Sequence, residues 1–274
     1  MKRDMLDDRK NKRNMKCVRN LWLISSLILL LLSLFMIGKT LYGLKKESAY
    51  FEVLALTAAE EEKSGKILKS GNATWKGQKA EHINYQKLVD QNDDFFGWIK
   101  IDDTSLDYPV MYSPDSPDFY LFHDFDKNRS ISGVPFVDGK CSKNGRIYMI
   151  YGHNMKNGSM FHVILKYKDF DFWQQHKKIV FNTRAEENVY EVVGAFYSKV
   201  YRQDQKNVFR FYDYKDLSDE NTFYEFISNV QKNSLYETGI TPVYGEELLV
   251  LVTCSYHTDE GRFVVVARHV QDQE

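Results

Sequence analysis

The sequence predicts a mostly β fold, a closed or nearly closed barrel, preceded by a single apolar helix. Three observations carry that expectation. Short strand-like segments follow one another at 98–101, 106–111, 133–137, 146–151, 178–182, 189–200, 248–254 and 262–270, several of them separated by turn clusters such as Asp138-Gly139-Lys140 and Asp259-Glu260-Gly261. One clear amphipathic helix interrupts this series. One uncharged apolar run lies near the N-terminus. Many short strands with few helices are the mark of a barrel, which removes exposed sheet edges by closure.

Residues 21–38 (LWLISSLILLLLSLFMIG) form the apolar run and approach the length needed to span a bilayer. Before it stand Lys2, Arg3, Arg9, Lys10, Lys12, Arg13, Lys16 and Arg19, against only Asp4, Asp7 and Asp8. The positive-inside bias retains this tail in the cytoplasm and sends the rest of the chain outward. The run is longer than a signal-peptide core, and no small-x-small cleavage site follows it, so an uncleaved anchor fits better than a removed signal. The expected organisation is a basic tail at 1–20, a transmembrane anchor at 21–38, an extracytoplasmic, partly helical stalk at 39–79, and a folded domain at 80–274.

At the start of the domain, Tyr85, Leu88 and Val89 share one helical face, and Gln91-Asn92-Asp93 supplies the stop. Pro109 cannot donate to a ladder, so the segment 106–111 is expected at an edge or bulge. Gly158-Ser159-Met160-Phe161 reads as a helix start. The amphipathic helix is expected to be capped by Ser218, with Asp219 and Glu220 in its first turn and an apolar stripe of Phe223, Phe226, Ile227 and Val230.

Composition narrows the function. The 274 residues carry a formal net charge of −1, and no basic stripe interleaved with aromatics lies beyond the N-terminus, which argues against nucleic acid as a partner. Cys17, Cys141 and Cys254 show no CxxC spacing, so neither a disulfide framework nor a cysteine-rich zinc site is expected. Cys254 ends an apolar strand and is followed at once by polar Ser255-Tyr256-His257. That is a rim position open to a nucleophile, although a small buried hydrophobe reads the same way. Arg262 opens the next strand. If the two strands pair, it faces Cys254, where a guanidinium favours thiolate and can hydrogen-bond an oxyanion. His153 follows Gly152 at another strand end and is placed to protonate a leaving amine. His257 is closer to Cys254 in sequence, but three residues along an extended chain point to opposite faces. His82, His123, His162, His176 and His269 lack such a setting.

Together Tyr-Gly-His-Asn-Met at 151–155, Val-Thr-Cys at 252–254 and Arg-Phe-Val-Val-Val at 262–266 resemble the sortase signature. Phe95-Phe96-Gly97-Trp98-Ile99, Tyr108-Pro109-Val110, the segment from Gly133 to Asp138, and Asn157-Gly158-Ser159-Met160-Phe161 are similar to class B sortases, extending the resemblance from about residue 83 to residue 270. The family's Thr-Leu-x-Thr-Cys motif has Val250 at its first position here. The resemblance implies an eight-stranded barrel with an N-terminal helix and a helical insertion before the cysteine strand. It implies a cysteine transpeptidase using Cys254, His153 and Arg262, with Thr253, Leu121 and Tyr256 near substrate and neither metal nor organic cofactor. Its substrates would be secreted proteins with a C-terminal sorting signal of NPxTx or LPxTG type. The acceptor would be an amine of peptidoglycan or lipid II in a Gram-positive wall. The absence of a lid motif before Trp98 favours wall anchoring over pilus assembly. Two rival readings stay open: a hydrolase with the same residues, and a tethered barrel that binds ligands around an inert cysteine.

Overall fold

A computed structural model describes residues 2–59, 85–141, 146–184 and 186–270. The chain divides into two compact units, Met1–Tyr50 and Phe51–Glu274. Helix α1, Lys2–Ala59, is continuous. It includes the predicted anchor, and its stretch Asn20–Leu56 is long and apolar enough to cross a membrane, with a mean hydropathy of 2.5 over its most apolar 18 residues. Apolar side chains such as Trp22, Leu29 and Phe35 stand exposed along it. The first part of the expected stalk, 39–59, is helical; the remainder, 60–79, lies outside the described residues. Near the helix end Phe51 and Leu54 are buried, and the Phe51 ring meets Tyr108 edge-on at 5.3 Å.

In the second unit, α2 (Tyr85–Gln91) buries Leu88 and leads into eight strands. These are β1 (Phe95–Lys100), β2 (Asp107–Met111), β3 (Phe136–Val137), β4 (Ile147–Tyr151), β5 (Lys178–Thr183), β6 (Val189–Lys199), β7 (Leu248–Cys254) and β8 (Gly261–His269). They close into a barrel in the order β1-β2-β3-β4-β7-β8-β6-β5. Two neighbouring pairs are parallel, β2 with β3 and β4 with β7; the other ladders are antiparallel. Each strand-like segment of the sequence maps to one of these strands.

Strand β7 reads Leu-Leu-Val-Leu-Val-Thr without alternation because both its faces are covered: all six residues are buried. A 3-10 helix at Phe161–Lys168, with Phe161, Val163, Ile164 and Tyr167 buried, packs against it. Val250, where the family motif carries threonine, is fully buried and contributes packing. Pro109 faces Trp98 of β1 across one ladder, while on its other side β3 reaches only Met111, so the missing N–H falls where no ladder runs.

Two expectations are corrected. Only Phe136 and Val137 of the segment 133–137 are strand. Gly133 has φ +57°, Val134 N–H turns back to Tyr120 O at 3.0 Å, and Pro135 has no N–H to give. The N-cap of the long helix is Asp219, not Ser218: its carboxylate accepts from Thr222 N–H at 2.8 Å, ahead of α4 at Glu220–Asn233 once α3 (Phe170–Gln175) is counted. Ser218 is already committed to the preceding turn, its N–H to Asp216 Oδ1 at 2.9 Å and its carbonyl to the Tyr244 hydroxyl at 2.6 Å. The helix start read at Gly158-Ser159-Met160-Phe161 is met by the 3-10 helix from Phe161, whereas α3 went unread because aromatic residues dominate Phe-Asp-Phe-Trp and obscure the helical period.

Helix α4 buries its whole predicted stripe. Its C-terminal end is stitched to a bulge in β6: Ser234 Oγ receives Ala195 N–H at 3.3 Å, and Leu235 N–H reaches Ala195 O at 2.9 Å. Gly194 permits this approach, since a Cβ there would lie 3.1 Å from Ser234 Oγ. Phe226, fully buried, has Phe209 and Tyr214 as ring neighbours at 5.8 and 5.2 Å. Phe226→Ala is expected to lower unfolding free energy by about 3–5 kcal/mol, read from urea titration by tryptophan fluorescence.

Candidate active site

At the end of the barrel where β4 and β7 finish and β8 begins, a cavity of about 760 Å³ opens. Tyr151 at the end of β4 and Gly152 and His153 just after it line the cavity, with Val252, Thr253 and Cys254 from β7 and Arg262 from β8. Leu121, in a 3-10 turn at Phe119–Leu121, and the segment around Phe211–Lys215 form its other walls. A second cavity of about 390 Å³ lies at Phe96, Tyr112, Tyr148 and Arg184 and contains neither a thiol nor an imidazole.

Antiparallel pairing sets Cys254 directly opposite Arg262. Ser255 N–H bonds Gly261 O at 2.9 Å, which makes Cys254 and Arg262 a non-hydrogen-bonded pair. In such pairs the Cα atoms approach to about 4.5 Å and the side chains stand closest. Arg262 gives one Nη1 bond to Gly261 O at 3.0 Å. Its Nη2 lies 3.5 Å from Glu260, whose side chain is 70% exposed, so that pair is screened by solvent and binds the guanidinium weakly. The rest of the guanidinium fork has donors to spare on the cavity that Cys254 also lines.

His153 is held by its Nε2, 2.9 Å from Leu121 O. A carbonyl only accepts, so Nε2 carries a proton and Nδ1 is the nitrogen free to gain or lose one. Thr253, 2% exposed, donates its hydroxyl to Gly152 O at 2.7 Å, and Gly152 N–H bonds Val252 O at 3.1 Å. These bonds tie the β4 end carrying His153 to the β7 end carrying Cys254. The structure thus brings His153, Cys254, Arg262, Thr253 and Leu121 around one cavity. Tyr256 is 78% exposed and is not part of its lining. His257 turns to Ser255 Oγ at 3.0 Å and to the Tyr197 ring at 4.7 Å.

Sequence reading did not single out the charged wall. Lys215, ion-paired with Asp138, lies 5.9 Å from the centre of the Tyr151 ring, and both charged side chains are largely buried. Burial, reinforced by Asp138, holds the Tyr151 phenol far above its ordinary range, so it stays a neutral donor. Asp138 already stood in a motif. Lys215, 77 positions away, had no local signal. The two free cysteines of the barrel domain differ: Cys254 is half-buried at the cavity, whereas Cys141 is buried and burial pushes its thiol up.

The sortase-domain family model matches residues 99–270, which is the barrel from within β1 onward and all of this site. The chain belongs to the sortase family. Sortase B of Listeria monocytogenes is 28% identical over 189 residues, covering 68% of this chain and 72% of its own. Sortase B of Staphylococcus aureus is 26% identical over 197 residues, covering 70% and 77%. A crystal structure of sortase B from B. anthracis superposes with a TM-score of 0.65 at 26% identity, over 84% of this chain and 98% of that one. Clostridium perfringens sortase B gives 0.61 at 28% identity, over 69% and 100%. This sortase is of class B, a cysteine transpeptidase.

Two outcomes follow from the site's packing. Iodoacetamide is expected to alkylate Cys254 at least about tenfold faster than Cys141 in the folded sortase, by peptide mass mapping, because only a reachable thiolate reacts. At Gly152 a Cβ would come within 2.5 Å of the fully buried Phe161 ring. Gly152→Ala is expected to cost about 1–3 kcal/mol of stability in thermal unfolding, and to lower transpeptidation as His153 shifts.

Proposed function

We propose that this sortase cleaves a C-terminal sorting signal of NPxTx or LPxTG type after its threonine and joins the protein to a cell-wall amine. The observation that carries this reading is the direct cross-strand pairing of Cys254 with Arg262 on the cavity that His153 also lines. Cys254 thiolate attacks the threonine carbonyl carbon, and the carbonyl oxygen becomes an oxyanion that accepts from the Arg262 guanidinium. As the tetrahedral species collapses, the C–N bond breaks, and the leaving amine takes its proton from His153 Nδ1. An acceptor amine then attacks the thioester, gives a proton back to His153 and expels the thiolate. Leu121 orients His153 and forms part of the wall against which substrate lies. The N-terminal helix anchors the enzyme with its barrel on the outer side, where secreted substrates and wall amines meet.

The test pairs a panel of fluorogenic peptides (NPQTN, LPxTG-like and SPxTG-like) with and without a peptide amine. Triglycine, held in a sortase B crystal structure of the same fold, is a suitable acceptor. Cutting after threonine with formation of an amine adduct is expected. Cys254→Ala and His153→Ala should abolish it, and Arg262→Ala should lower kcat by roughly 10²–10³. Release of free acid alone, even at high amine, would favour the hydrolase. Cutting that survives Cys254→Ala would remove Cys254 as nucleophile.

A further inference from the structure

The β4–β7 ladder does not end where strand β4 does. Gly152 N–H supplies a rung to Val252 O, and the next carbonyl in register, that of Cys254, accepts from the Asn154 side chain, Nδ2 to O at 3.0 Å. Asn154 thus replaces a backbone donor with its own amide. Because Nδ2 is the donor, Oδ1 faces the other way and accepts from His162 Nδ1 at 2.8 Å. The loop between them is closed twice more, by Phe161 N–H to His153 O at 2.9 Å and by a bridge between Asn154 and Met160.

The peptide unit after Cys254 is consequently gripped from both sides, its C=O by Asn154 and its N–H by Gly261 O. Turning that unit would swing the thiol. His153 lies between two residues, Gly152 and Asn154, that are each bonded to the cysteine strand. We propose that Asn154 and His162 are positioning residues: His162 orients the Asn154 amide, and Asn154 sets the spacing and direction of the Cys254 thiol relative to His153. The inference rests on the assignment of Cys254 and His153 as nucleophile and proton carrier. Misplacement of a reacting group by about 1 Å costs on the order of 100-fold in rate, so such a role shows in kcat.

Asn154→Asp is nearly isosteric and exchanges the donor for an acceptor. In the full-length enzyme it is expected to lower transpeptidation kcat by about 10- to 100-fold with KM within about threefold. His162→Ala should lower kcat by about tenfold, and His162→Gln, which restores an N–H donor, should recover most of it. The double variant Asn154→Asp/His162→Ala should be no slower than Asn154→Asp alone, since both act through one bond. A purely structural role would lower Tm while leaving kcat per folded molecule intact. Unchanged kcat in Asn154→Asp, or losses that multiply in the double variant, would overturn the proposal. Should Asn154→Asp fail to fold, the His162→Ala and His162→Gln pair decides: equal, wild-type kcat in both overturns it. Cys254→Ala run alongside separates the two levels. An active Cys254→Ala sinks the assignment beneath, whereas an inactive one beside a fully active Asn154→Asp sinks this inference alone.

Discussion

Strand β7 is hydrogen-bonded along its length to β4 on one side and β8 on the other, and its register against both determines what meets at the barrel's open end. The parallel ladder with β4 runs from Ile147 opposite Leu248 to Tyr151 opposite Val252, so His153 and Cys254 finish side by side. The antiparallel ladder with β8 places Arg262 opposite Cys254. A one-residue slip in either ladder would turn each side chain to the opposite face and dismantle the site. Thr253 resists such a slip, because its buried hydroxyl is bonded to Gly152 O only in this register.

The connection between β4 and β7 supplies the rest of the enzyme. A parallel pair needs a long crossover, and here it contains α3, β5, β6 and α4. Part of that crossover returns across the open end, where Phe211–Asp213 and Lys215 wall the cavity opposite the catalytic strands. The apolar stripe of α4 holds this segment through Phe209 and Tyr214. Packing far from the thiol in sequence therefore shapes the groove in which a peptide would lie. In that wall Lys215 is paired with Asp138, while Arg262, bonded to Gly261 O and only weakly to Glu260, stands across the strands from Cys254.

The barrel and the N-terminal helix distribute their apolar residues differently. In the barrel, apolar residues are buried and polar strand ends collect at the rim. Along α1, large apolar side chains stand exposed over the stretch 20–37, a pattern shared by membrane-spanning helices and signal sequences.

Much of this was legible in the chain. Turn clusters and apolar runs located all eight strands, since strand and turn propensities act over a few residues. Glycine before His153 and the apolar run before Cys254 marked two strand ends, and the spacing to Arg262 pointed to a hairpin pairing. The short reach of β3 was hidden because it depends on the positive φ of Gly133 and on where Pro135 falls beside Met111. The cap at Asp219 was hidden by a contact from Tyr244. What only the tertiary structure decided is which groups face one another over long separations: Lys215 with Asp138, the Leu121 carbonyl with His153, and Asn154 with the Cys254 carbonyl, 100 positions apart. Local sequence encodes dihedral preference and burial, whereas these partners are chosen by strand order and register, which are properties of the closed barrel as a whole.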